Sequence, residues 1–350
     1  MVGKPKAAGV PGAVHNETSK FEIDSDLQTP VELYQKEELT FTHLAEIELG
    51  PLGRTLVEIS LIVGQLGCMM AYLIYIGTLG NYFVPTIPEW AWVFMFLPTN
   101  LAVCQLREIK LLMDWSALGV LASIFGMISL FVICMNKVAS EGVAPLEYDF
   151  KISTFPSCFG IMFFAMEGIQ VMLPVAHKMS RPEDYPSMLL YVVTAVAISY
   201  MCLAVVGYMA YGSKVLAPMT DNMDDNDFTD FIRFSQGLVV LVSFPIQAFP
   251  VAKLLDVYYP ENQTLSRAII VLIPTVVAIV FPFMGEAMGM IGGLAMTGLG
   301  CVFPILMYLQ HFSSSITDTQ KAILWTCMSV GGMIGTLATI ESAVQMFDEL

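Results

Sequence analysis

The chain alternates between long apolar runs and short polar joints. After about 53 mostly polar residues, nine apolar segments follow one another: 55–82, 90–106, 115–135, 155–176, 188–211, 231–255, 268–283, 288–309 and 322–347. A helix needs roughly 20 apolar residues to cross a bilayer, and most of these runs approach or exceed that length. None shows the ten-residue alternation of a barrel strand. In lipid the backbone must satisfy its own N–H and C=O groups, which a helix does within one segment. The pattern therefore predicts an all-α polytopic membrane protein: nine helices within residues 54–350, behind a polar N-terminal tail, residues 1–53. Residues 1–26 of that tail are Gly/Pro/Ala-rich and then polar, a composition expected to be disordered. "TPVELYQKEELTFTHLAEIELGPLG" is expected to form one or two short helices broken at "GPLG".

Composition agrees with the pattern. Of 350 residues, 56% are hydrophobic and 13% charged, with mean hydropathy +0.67; a soluble chain carries about 25% charged residues. The net charge of −15 comes largely from the tail and from "DNMDDNDFTD", residues 221–230. With no basic patch interleaved with aromatics, nucleic acid is not an expected partner. The seven cysteines sit within or at the ends of apolar segments and form no CxxC pair, so they read as small buried hydrophobes. The four histidines lie outside the apolar segments without ligand spacing, so no metal is expected. No Walker A motif is present, which excludes ATP as the energy source. Residues 1–50 lack the apolar core of a cleavable signal, so the first span is expected to direct insertion.

Lysines and arginines collect on the cytosolic side of membrane proteins. With the N-terminus in the cytosol, 12 of the 16 fall on that side and 4 opposite, or 7 against 4 without the tail's four and Arg54 just after it. Nine spans then put the C-terminus and the acidic 221–230 loop on the other side. The sequons at Asn16 and Asn262 would both face the cytosol and stay unglycosylated.

An ionisable residue inside a span marks a candidate site. Glu58 lies close to Arg54, four residues back, and Lys253 and Asp256 close the sixth span; all read as interfacial. Glu286 and Glu341 sit in a turn and near a span end, and neither demands a mechanism. Glu167 differs. It stands near the middle of 155–176, 12 residues from one end and 9 from the other, with no cation in the run. Gly168 follows it, Gly160 precedes it, and Pro156 and Pro174 bracket the run. Glycine and proline beside a buried acid predict a broken helix, of the kind transporters use to hold substrate at the midplane. Desolvation favours the neutral form of a carboxyl, which suits Glu167 to carry a proton. The competing reading is a structural carboxyl bonded to a neighbouring helix. Elsewhere, Gln65 and Tyr72 share one face of the first span. In the sixth span, "LVVLVSFPIQAFPVAKLLD", Pro245 and Pro250 remove backbone donors while Ser243 and Gln247 supply polar groups. "MGMIGGLAMTGLG" opens the eighth span with small residues that let helices pack closely.

"FFAMEGIQVMLPVAHKM" with "YPSMLLYVVTAVAISYMCLAVVGYMAYG" resembles the sixth and seventh helices of the amino acid/auxin permease family, in its proton-coupled amino acid transporter branch. "LGPLGRTLVEISLIVGQLGCMMAYLIYIG" resembles that family's third helix, "LREIKLLMDWSALGVLAS" its fourth-to-fifth connection and "SFPIQAFPVAKLLD" its eighth. The resemblance runs in order over about residues 47–347. It implies a LeuT-like (APC superfamily) inverted-repeat fold whose helices 3–11 are the nine predicted here, with the polar tail where the family has helices one and two. That departure leaves three readings: a shortened form of a working transporter, which the intact remainder favours; a transport-inactive sensor or regulatory relative; or a chain completed by a second subunit. The leading expectation is secondary active transport of amino acids, a proton-coupled symport needing no cofactor beyond the proton gradient. Substrate would lie near Phe163, Phe164, Met166 and Gly168, against Gln65, Tyr72, Ser243 and Gln247, with Glu167 coupling the proton. The resemblance implies a multi-pass protein, among membrane lipids, of the plasma membrane or a vacuolar or lysosomal membrane. A membrane enzyme would need an acid/base pair or histidine cluster within the spans, and none is visible.

Overall fold

The computed structural model describes residues 40–106, 109–147 and 152–348. The disorder expected over residues 1–26 and the sequon at Asn16 lie outside them. Among the described residues the chain runs through nine successive helical stretches, which follow the nine apolar segments in order. These are α1 (Phe41–Phe83), α2 (Glu89–Val103) and α3 (Ile109–Glu141). The fourth is split into α4 (Phe155–Ala165) and α5 (Ile169–Lys178). Then come α6 (Tyr185–Tyr211), α7 (Asp227–Tyr258) and α8 (Gln263–Val280). The eighth stretch joins α9 (Met284–Ile291) through two π-helical turns, Gly292–Met296 and Gly298–Val302, to α10 (Phe303–His311). The last is α11 (Asp318–Asp348). Seven stretches are long and apolar enough to cross a membrane; α2 and the divided fourth stretch are shorter.

The helices start and bend where local chemistry allows. Asn226 caps α7: its side chain accepts from the N–H groups of Phe228 and Thr229, both at 3.1 Å, while Thr229 Oγ1 accepts from the Asn226 N–H at 3.1 Å. This reciprocal pair satisfies donors that the first helical turn leaves open. The polar-to-apolar boundary expected at residue 53 falls inside α1, which begins at Phe41 under a Thr40 cap. The helix bends at Gly50, whose φ of 75° only glycine adopts readily. Residues 41–49 are ordered because they find partners. Phe41 and Ala45 are buried, Arg54 bridges Glu46 and Glu58 at 2.7 Å each, and Glu48 meets His311 at 2.7 Å.

Helix α1 is the axis of the molecule and packs against α2, α7, α8, α9 and α10. Two-thirds of its most apolar window (67%) is buried by protein, against none of the corresponding window of α6. The more apolar α6 is left uncovered by protein among the described residues, as a lipid-facing helix would be, and packs on α3. Helices α4, α9 and α11 form a second group, joined at glycines. A Cβ on Gly292 would strike the Gly160 carbonyl, and one on Gly335 would strike that of Gly293. Close backbone approach of this kind is how helices associate in lipid, where no hydrophobic force drives them together.

Two buried arginines tie the helix ends. Arg267, 2% exposed, bonds to Asp256 at 2.7 Å and to the carbonyls of Cys104 and Leu106 at 3.3 and 3.0 Å. It thus fastens α2, α7 and α8. At the opposite membrane face Arg233, 3% exposed, reaches Asp225 and Asp230 at 3.2 Å and the Met223 carbonyl at 2.9 Å. It also stacks over the Tyr82 ring at 4.1 Å.

Candidate functional site at the helix break

The fourth stretch breaks at the expected residues. Helix α4 ends at Ala165, Met166 to Gly168 are unwound, and α5 resumes at Ile169. The Met166 and Glu167 N–H groups close the end of α4 on the carbonyls of Met162 (3.2 Å) and Phe164 (3.4 Å). Nothing lies within 4 Å of where a Gly168 Cβ would stand, so the break borders open space.

Four of the predicted polar residues fall into two pairs. Gln65 Nε2 donates to Glu167 Oε1 at 3.2 Å. Gln247 Nε2 approaches the Tyr72 hydroxyl at 3.5 Å, the outer limit of a hydrogen bond. One helix face carries both contacts, because Gln65, Cys68 and Tyr72 follow the i, i+3, i+7 spacing. Glu167 lies near enough to Cys68 and Tyr72 to interact electrostatically with both. Gln65 is fully buried, and among the described residues its Oε1 has no hydrogen-bond partner. A buried carbonyl oxygen left unpaired costs about 1–3 kcal/mol, so at this spot the fold keeps an acceptor in hand. Beside the Glu167 carboxylate it makes a site suited to a ligand that donates, such as an ammonium group.

The remaining predicted residues stand around this group in different ways. Phe163 packs near Gly300 and lies 4.7 Å, ring to ring, from Phe159. The Phe164 Cβ fills the space a Gly292 side chain would need. Both residues thus brace α4 against the π-helical turns, Phe163 through its ring and Phe164 through its Cβ. Met166 is 41% exposed at the break. Ser243, half-buried, stands one turn before Gln247 on α7; among the described residues its hydroxyl makes no hydrogen bond to Gln65, Tyr72, Glu167 or Gln247. Two residues that the sequence reading passed over take part. Cys68, read as a small hydrophobe, sits between Gln65 and Tyr72, and the i, i+3 spacing was the signal for it. Glu341, read as needing no role, accepts from the Ser157 N–H at 3.1 Å in the first turn of α4. Nothing local in the sequence marks that contact, which joins residues 184 apart.

A multi-pass helical membrane protein with a broken helix and a half-buried carboxylate at the break has the build of a solute carrier. The chain belongs to the family of transmembrane amino acid transporter proteins, whose model matches residues 26–343. It is 24% identical over 329 residues to amino acid transporter AVT3B of Arabidopsis thaliana, covering 89% of this chain and 79% of that protein. It is also 27% identical over 215 residues to vacuolar amino acid transporter 3 of Schizosaccharomyces pombe, covering 59% of this chain and 32% of that protein. The match to vacuolar amino acid transporter 4 of Saccharomyces cerevisiae, 26% over 220 residues, covers 59% and 31%. The family is one of transporters, not of enzymes.

Proposed function

We propose that this chain moves amino acids across a vacuolar-type membrane as a proton-coupled symporter, with the N-terminus in the cytosol and helices arranged as in the LeuT-like inverted-repeat fold. The observation that carries the proposal is the contact of Gln65 with Glu167 at the break between α4 and α5. A carboxylate at a helix break, facing a buried unpartnered carbonyl oxygen, supplies acceptors for the substrate ammonium. The unwound backbone at Met166–Gly168 lies next to them for the substrate carboxylate, as half-helix ends serve in carriers of this architecture. Family membership and the names of the relatives support the substrate class and the vacuolar membrane.

In this mechanism Glu167 holds the proton. Protonated, it accepts from the Gln65 amide N–H only as a neutral group; ionised, it holds that N–H more strongly. Each proton event therefore changes the contact between α1 and the break, and so biases which side the site opens to. The test is uptake of labelled amino acids by proteoliposomes at two external pH values with fixed internal pH. The proposal requires accumulation that follows the proton gradient and collapses with a protonophore. Accumulation that ignores pH and follows sodium would refute the proton coupling.

A further inference from the structure

We propose that a groove between α1, α2 and α7, remote from the helix break, binds a membrane sterol. The groove encloses about 580 Å³, within the 300–1,000 Å³ range of specific small-molecule sites. Trp92 and Phe96 of α2, stacked at 6.4 Å and 29°, form one wall. Phe231 and Phe234 of α7, 58% and 63% exposed, form the other. Its floor is kept low by Gly80, which lies against the Trp92 ring, and by Gly237, which lies against the Leu79 side chain. Side chains at those two positions would push their neighbours into the space.

The place and chemistry of the groove select the occupant. It opens between membrane-crossing helices, so the medium it meets is lipid. One end reaches the membrane surface, where α7 begins and Trp92 stands in the first turns of α2, the level at which aromatic residues gather in membrane proteins. At that end lie Asp227 and Asp230. Asp230 is engaged by Arg233 and by the Tyr82 hydroxyl at 2.8 Å, which leaves the exposed Asp227 as the acceptor at the mouth. A phosphate headgroup is repelled there, and by the other carboxylates of residues 221–230. A hydroxyl donates to a carboxylate without needing charge. Flat aromatic walls complement a flat, rigid apolar body, and such a body gives up little rotational freedom when held. One hydroxyl on a rigid polycyclic body is a sterol.

The test uses the full chain in phosphatidylcholine liposomes with a photoreactive, alkyne-tagged sterol, followed by mass spectrometry of the labelled peptides. Label is expected on residues 76–83, 92–96 and 227–241, and is to be displaced by unlabelled sterol. Leu238→Trp, which fills the groove, should lower labelling about tenfold. Asp227→Leu, at an exposed position where folding is not at stake, should lower it severalfold, with Asp227→Asn retaining it. Label spread equally over the lipid-facing α6, or unchanged by both Leu238→Trp and Asp227→Leu, would overturn the site. Displacement by a long-chain amine but not by sterol would overturn the occupant.

Discussion

Replacing Glu167 separates a proton carrier from a structural brace. In Glu167→Gln the side chain keeps its shape, and its amide oxygen still accepts from Gln65 Nε2, 3.2 Å away in the parent. A hydrogen bond to a charged acceptor is worth about 1.5–3 kcal/mol and a neutral one about 0.5–1.5. The exchange should therefore cost about 1 kcal/mol of stability, the difference between the two. Glu167→Ala removes the acceptor altogether. Gln65, fully buried with one unpartnered atom already, then has its Nε2 stranded as well, at about 1–3 kcal/mol. The stability order is thus parent, then Gln, then Ala, read from thermal unfolding in detergent. Transport must follow a different order. Proteoliposomes carrying Glu167→Gln should exchange labelled for unlabelled amino acid across the membrane, because exchange need not release a proton, but should fail to accumulate substrate under a pH gradient. Full proton-driven accumulation by Glu167→Gln would refute the coupling role and leave Glu167 as a brace. Equal stability of the Gln and Ala variants would refute the energetic reading of the Gln65 contact.

Other perturbations test the frame. Arg267→Met strands Asp256 and two carbonyls in a buried setting and should cost about 3–5 kcal/mol; adding Asp256→Leu should restore part of the melting temperature, and a double variant no better than the single would show that the pair is not what matters. Asn226→Ala removes the α7 cap and should cost about 1 kcal/mol in the same assay. Gly335→Val drives a methyl group into the Gly293 carbonyl and should lower folded yield through overpacking of about 1–3 kcal/mol, whereas Gly332→Val, where the nearest atom is 3.7 Å away, should be tolerated. Protease protection with a tag at each end should shield opposite tags, and protection of both together would rule out the proposed orientation.

How far the sequence revealed this depends on the range of the interaction concerned. Apolar length is a local property, so each predicted run has its helix, and Gly168 beside Glu167 announced the break. Boundaries moved where polar residues found partners. The run expected from 115 lies in a helix that begins at Ile109, and α1 starts at Phe41, because Arg54 and His311 hold its acidic first turns. The juxtaposition of Gln65 and Glu167, 102 residues apart, came from the family resemblance and not from spacing. Spacing showed only that Gln65 and Tyr72 share a face. Arg267 and Arg233 were legible as topological charges, but their buried bonds depend on packing that no window of sequence contains. The π-helical turns were also hidden, since the glycine run "MGMIGGLAMTGLG" announces close packing without saying how the backbone relaxes to permit it.

The glycine meshing of α4 with α9 and α11 has a mechanical consequence. Helix α4 is clamped to that group through Gly160, Gly292 and the Glu341 contact, while α5 packs chiefly on α1. The two halves of one interrupted helix are therefore held by different helices, although α1 itself also packs on α9. In the proposed transport cycle, a shift of α4 relative to α5 would bend the chain at Met166–Gly168, the three unwound residues that carry Glu167. The carboxylate sits at that joint, so under the proposed mechanism such a shift would act on its bond to Gln65.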